Sequence, residues 1–197
     1  MAEIVGVVLA GGLATRMGGG DKCLLPLGDG VILDQVLARL TPQVDAVVLN
    51  ANGDPARFSR FDLPVVPDSI EGFAGPLAGV LAGMDWAAAQ GASKLISVAG
   101  DTPFFPDDLG ARLGAAGSLV LAGTPDPERG VARHPTFGLW PVGLRDDLRA
   151  ALNDGLRKVV AWTDPHGGTV AEFGDDRAFF NVNTPEDLAI AHTLMTA

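Results

Sequence analysis

The sequence predicts an α/β protein of three layers (α/β/α), with helices on both faces of a mostly parallel sheet. Three observations carry this expectation. Short apolar runs alternate along the chain with longer amphipathic ones, the pattern of a sheet sandwiched between helices. Several of the short runs are nearly continuous in valine, leucine and isoleucine, as in parallel strands covered on both faces. Polar residues stand just after each of the first four runs, and in open parallel sheets ligands lie beyond the carboxyl ends of the strands.

Taken in order, residues 3–10 (EIVGVVLA), 46–50 (AVVLN), 63–67 (LPVVP) and 94–100 (KLISVAG) read as strands. Residues 31–40 and 76–90 have helical spacing, and Pro76 suits a first helical turn because its φ is fixed and its missing N–H would be unpaired there anyway. Further strands are expected near 118–122 and 136–140, and helices near 107–116, 143–152 and 185–195. The last helix has a clear start: Thr184 caps it, Pro185 takes the first position, and Asp187 follows three residues after the cap.

At 197 residues the chain fits a single domain, 1–197, and is long enough to bury a core. Its 24 acidic against 14 basic residues leave a net charge of −10, opposed to nucleic-acid or anionic membrane surfaces. Met1 to Ala10 lack a charged leader region, and no apolar run approaches the roughly 20 residues that span a bilayer. The expectation is therefore a cytoplasmic protein. The lone Cys23 excludes an internal disulfide framework. His134, His166 and His192 form no i, i+4 pair, which argues against a zinc site, and His192 suits a last helical turn.

The stretch VVLAGGLATRMGGGDKCLL, residues 7–25, sets five glycines, Arg16 and Lys22 behind the first strand. It is not a Walker loop, because Cys23 follows Lys22 where a hydroxyl residue would bind magnesium. It is not a dinucleotide fingerprint either, because Gly11 and Gly12 are adjacent. Backbone N–H groups at Gly11, Gly12, Gly18 and Gly19 could nonetheless face anionic oxygens, with Arg16 and Lys22 supplying charge.

This stretch resembles the LAGGxxxRMGxDKxLL signature of small nucleotidyltransferases that move NMP from a nucleoside triphosphate. Within them the chain is similar to the molybdenum cofactor guanylyltransferases, the MobA type. The likeness also covers VVLNAN (47–52), VVPDS (65–69), GPLAGVLAGM (75–84), AGDTPFFP (99–106), HPTFGLW (134–140), DGLRKVVAW (154–162) and FFNVNTPEDL (179–188). It implies a Rossmann-like sheet of the nucleotidyltransferase (glycosyltransferase A-like) type. Residues 1–110 would then mainly bind nucleotide and 111–197 mainly the acceptor.

The resemblance implies that Leu9, Ala10, Gly11 and Gly12 wrap guanine and ribose, that Lys22 and Arg16 contact the triphosphate, and that Asp101 holds Mg2+. Asn50 and Asp68 correspond to positions that contact base or ribose. Gly79, Arg157, Asn181 and Asn183 fall on the acceptor side; related pterin cytidylyltransferases tend to carry aspartates where the two asparagines stand. Read as residues alone, each has a structural alternative: a surface lysine, a turn aspartate before Pro103, strand-end or cap residues, a helix-surface arginine, and asparagines that cap a turn before residue 185. His134 either touches substrate or positions a loop, and Cys23 reads as a packed residue more than a nucleophile.

The activity implied is GMP transfer from GTP to the terminal phosphate of molybdopterin, with release of pyrophosphate. A phosphate monoester has a second pKa near ~6, so such an acceptor needs no general base. The resemblance also implies transient contact with cofactor insertion proteins or molybdoenzyme chaperones. Two other readings stand beside it: a cytidylyltransferase or another NTP transferase of the same fold, and a non-catalytic GTP sensor.

Overall fold

The computed structural model describes residues 3–11, 20–70, 72, 75–174 and 176–195. Gly12, Arg16, Gly18 and Gly19, all expected to face phosphate, lie outside the described residues.

The strands are β1 (Ile4–Leu9), β2 (Pro26–Leu27), β3 (Gly30–Val31), β4 (Ala46–Asn50), β5 (Val65–Val66), β6 (Lys94–Ala99), β7 (Val120–Asp126), β8 (Gly130–Pro141) and β9 (Thr169–Glu172). The helices are α1 (Ile32–Leu40), α2 (Pro76–Ala89), α3 (Leu109–Ala116), α4 (Arg145–Asn153), α5 (Val159–Thr163) and α6 (Pro185–Met195). Seven strands form one sheet in the order β5-β4-β1-β6-β8-β7-β9, and β2 and β3 form a small separate hairpin. β8 runs antiparallel to its neighbours β6 and β7, whereas the other pairings in the large sheet are parallel.

Alternation along each strand divides the core between the two faces of the sheet. Val8, Leu49, Ile96 and Val98 pack beneath α1 and α3, while Val5, Val7, Val48 and Leu95 pack beneath α2. Trp140 and Trp162 fill the second layer together with Leu148 and Leu152 of α4. The chain leaves β1 through α1 to reach β4 on one side, then crosses through α2 to reach β6 on the other. The point between β1 and β6 is therefore a topological switch point, where the crossovers diverge and leave a crevice.

Register makes the strand ends level. Leu9 lies opposite Asn50 and Ala99, and Asn50 lies opposite Val66. The ladder continues just past the strands: Ala10 N–H donates to Asn50 O at 2.9 Å, Ala51 N–H to Val66 O at 3.0 Å and Gly100 N–H to Leu9 O at 3.0 Å. The segments carrying Gly11, Asn52, Asp68 and Asp101 thus leave the sheet along one edge.

The expected elements are present, with differences of extent and direction. The third expected strand shrinks to Val65–Val66, because Pro64 and Pro67 flank it and cannot donate to a ladder. The strand expected near 136–140 is the long antiparallel β8, which runs from Gly130 to Pro141. The hairpin β2–β3, helix α5 and strand β9 were not expected; each has only two to five residues, too few for periodicity to register. The capping at α6 is as anticipated: Thr184 Oγ1 accepts from Asp187 N–H at 3.1 Å, and Asp187 Oδ2 accepts from Thr184 N–H at 2.9 Å.

Candidate active site

A cavity of about 340 Å³ opens at the level strand ends, walled by Leu9 and Gly11, Asn50 and Asn52, Asp68, Ala99 and Asp101, and Thr136. A smaller recess of about 20 Å³ shares Leu9 and Asp101 with it and adds Lys22, Cys23 and Gly100. A side chain at Gly100 would crowd this junction, because a Cβ there would stand 3.1 Å from Leu9 O and 3.2 Å from Ala10 Cα.

At one end of the cavity a carboxylate is held by amides. Asn50 Nδ2 donates to Asp68 Oδ1 at 3.0 Å, and Asn52 Nδ2 donates to Asp68 Oδ2 at 2.9 Å. Asn52 Oδ1 in turn accepts from Asp68 N–H at 2.9 Å. Asn50 is buried, with a second bond from its Nδ2 to Val66 O at 3.3 Å. A carboxylate has about four lone-pair sites, so two such bonds leave Asp68 able to accept from a ligand.

At the other end a cation stands between an acid and an amide. Lys22 Nζ donates to Asn183 Oδ1 at 2.6 Å and lies 3.8 Å from Asp101 Oδ2. Thr102 Oγ1, with one proton to donate, lies within hydrogen-bond distance of both Asn181 Oδ1 and Asp101 Oδ1, the latter at 3.3 Å. Val182 N–H donates to Asp101 O at 2.9 Å, which seats the 181–183 segment beside the end of β6. Burial pushes the Asp101 carboxyl above the usual carboxylate range, although Lys22 and Thr102 pull it down.

The residues expected to act together thus separate into groups. Leu9, Gly11, Asn50, Asp68 and Asp101 line the main cavity, Ala10 and Lys22 line the adjoining recess, and Asn181 and Asn183 bond to Thr102 and Lys22 at its edge. Gly79 does not join the asparagines: it is buried in α2, where a Cβ would lie 2.7 Å from Leu9 Cδ2 and press into the Asn50 amide. The absence of a side chain there gives clearance to Leu9 and the Asn50 amide. Arg157 also stands apart, its Nη1 donating to Leu156 O at 2.8 Å on a separate cavity of about 470 Å³ walled by residues of 151–161.

His134 stacks on Phe179 with centroids 4.2 Å apart, and its Nε2 lies 3.0 Å from Thr124 Oγ1. It packs against these two side chains; within HPT the residue on the cavity wall is Thr136, placed there where the β7–β8 register shifts. Cys23 is buried and its thiol is pushed up to about 12 by burial and the Asp21 charge, so it stays protonated at neutral pH. Asn52, Thr102 and Thr136 were missed from the sequence. Asn52 had a readable signal: it follows Asn50 by two residues in extended backbone and so shares its face.

The family match and the curated relatives define the class of protein, a nucleotidyltransferase. The model of the MobA-like NTP transferase domain matches residues 6–167, and the chain belongs to that family. A protein of Mesorhizobium japonicum named molybdenum cofactor guanylyltransferase is 50% identical over 205 residues, spanning 98% of this chain and 96% of that one. One of the same name from Cereibacter sphaeroides is 47% identical, spanning 98% and 97%. Among solved structures, molybdopterin-guanine dinucleotide biosynthesis protein A of Archaeoglobus fulgidus superposes with a TM-score of 0.72 at 20% identity, covering 98% of each chain. The 4-diphosphocytidyl-2C-methyl-D-erythritol synthase of Anaerococcus prevotii superposes with a TM-score of 0.78 at 13% identity, covering 99% of this chain and 96% of that one. The last two show a shared fold. Among the described residues no helix is long and apolar enough to cross a membrane.

Proposed function

We propose that this chain transfers GMP from GTP to the terminal phosphate of molybdopterin, forming the guanine dinucleotide cofactor and releasing pyrophosphate. One observation carries the reading: Asp101 is shared by the cavity that holds a hydrogen-bond-accepting carboxylate, Asp68, and by the adjoining recess that holds its cation partner, Lys22. Guanine presents adjacent N–H donors that a carboxylate can take together, and cytosine, uracil and adenine do not. The triphosphate then runs toward Lys22, and the acceptor phosphate enters beside Asn181 and Asn183.

The acceptor phosphate, largely dianionic at neutral pH, attacks the α-phosphorus of GTP. A new P–O bond forms as the bond to the β-phosphate breaks, and the electron pair leaves with pyrophosphate. No proton has to be removed from the nucleophile, so the chain's task is to position two anions and offset their repulsion. Lys22, a compact charge on a flexible stem, can exchange Asn183 and Asp101 for phosphate oxygens as negative charge moves to the leaving group.

Asp101 is the residue that would hold Mg2+. Among the described residues no group of three or more His, Cys, Asp or Glu converges. A lone carboxylate fits magnesium, which retains waters and takes its other ligands from phosphates. When bound, the ion supplies positive charge shared among triphosphate oxygens. A cytoplasmic location belongs to the same reading, as does transient contact with a cofactor insertion protein upstream and with a molybdoenzyme chaperone downstream.

The test is pyrophosphate release from purified molybdopterin with each of the four NTPs. GTP alone supports turnover on this reading. Comparable release from CTP favours the cytidylyl alternative, and GTP binding without release favours a sensor.

A further inference from the structure

We propose that Arg57 is a positioning residue that ties the two ends of the nucleotide cavity together through the chain Asp21–Arg57–Asn52–Asp68. Arg57 sits in the short helical segment Pro55–Phe61, and among the described residues it is not part of the cavity wall. Its guanidinium reaches in three directions. Nε donates to Asp21 Oδ2 at 2.6 Å, Nη2 to Asn52 O at 2.6 Å, and Nη1 to Asp54 O. Its planar face lies over the ring of Phe58, 4.7 Å from the centroid. That stacking and the fork of donors hold the group in one orientation.

What lies at each end of this bridge gives it a role beyond stability. Asp21 immediately precedes Lys22, its carbonyl accepts from Leu24 N–H at 3.1 Å, and its side chain is only 9% exposed. It thereby anchors the turn Lys22–Leu24 that carries the cation. Asn52, held by its carbonyl, grips Asp68 from two sides, with its amide donating to the carboxylate and accepting from the backbone N–H. One guanidinium therefore sets the spacing between the residue that faces the base and the residue that faces the phosphates. This rests on the reading that Asp68 and Lys22 both contact the nucleotide. A lysine at this position would keep a charge beside Asp21 but could not bond in three directions at once.

The experiment compares Arg57→Lys, Arg57→Gln, Asp21→Asn and the double variant Asp21→Asn/Arg57→Gln in the full chain. Affinity is measured for whichever of the four NTPs the parent binds best, together with kcat, KM and Tm. Both Arg57 variants are expected to raise Kd and KM about 10-fold or more while kcat changes less than about threefold, and the double variant should be no worse than the weaker single, as in a coupled pair. Arg57→Lys with Kd within twofold of the parent overturns the proposal, as does a lowered Tm with unchanged Kd. Should Arg57→Gln not fold, Arg57→Lys decides alone. A parent that prefers a nucleotide other than GTP defeats the guanine reading but leaves this comparison intact.

Discussion

The two ends of the cavity hold their carboxylates in different ways. Asp68 is fixed by neutral amides 16 and 18 residues away, on and just beyond the neighbouring strand β4. Asp101 is surrounded by partners from distant parts of the chain: Asn181 bonds Thr102 across 79 residues, and Asn183 bonds Lys22 across 161. The first arrangement is local and its hydrogen bonds are closed. The second holds a cation between two oxygen partners at 2.6 and 3.8 Å, either of which a phosphate could replace. On the proposed function, recognition is pre-organised and the transfer end is built to exchange partners when substrate arrives.

The largest expected effect comes from Asp101→Asn, which separates function from stability. Its carboxyl is raised by burial, so the folded chain holds that proton more tightly than the unfolded one. The associated stability is present at low pH and lost as pH rises through the raised value. Wherever the acid is ionised it is therefore a cost that asparagine removes. Pyrophosphate release should fall about 100-fold or more, as for loss of one charge-stabilising group, while Tm measured in EDTA holds or rises. Near-normal turnover, or a Tm lower by several degrees, breaks the contrast.

Next in size is the Lys22–Asn183 contact. Lys22→Ala should lower kcat/KM about 100-fold and Asn183→Ala about 10-fold, with the double variant short of the product because the two act as a unit. Independent, multiplying losses would show that Asn183 does not orient the lysine. At the closed end, Gly79→Ala drives a methyl toward Leu9 and the Asn50 amide. It should cost about 1–3 kcal/mol of stability by overpacking and raise KM for GTP with little change in kcat. A change confined to the acceptor's KM would instead favour the acceptor-side expectation for Gly79. The smallest effect is expected for Cys23→Ala: with its thiol pushed up to about 12, activity should stay within about twofold. Rapid loss of activity with iodoacetamide at neutral pH in the folded enzyme would contradict this.

Much of the site was legible because strand ends are legible. Asn50, Asp68 and Asp101 each follow an apolar run, and register brings those runs level. Thr184, Pro185 and Asp187 marked α6, since capping is a matter of adjacent residues. Less legible were residues whose roles depend on where another segment passes. Gly79 read with the acceptor group, yet only the approach of α2 to β4 and β1 shows why a side chain is excluded there. Arg157 likewise read with the asparagines, but its guanidinium turns toward the carbonyls of its own segment. Arg57 drew no notice in the sequence, because nothing adjacent to it marks a cation that reaches back to Asp21.

By itself the sequence determined the alternation of strands and helices, the glycine-rich exit from the first strand and the acidic balance that restricts the partners. These depend on periodicity, caps and composition, which act over a few residues. Only the tertiary structure decided that β8 runs against its neighbours, that Lys22 meets Asn183, and that Asn52 and Arg57 support Asp68. Those contacts depend on how distant segments are brought together by burial of the two core layers, and side chains that meet only after such burial carry no shared signature along the chain.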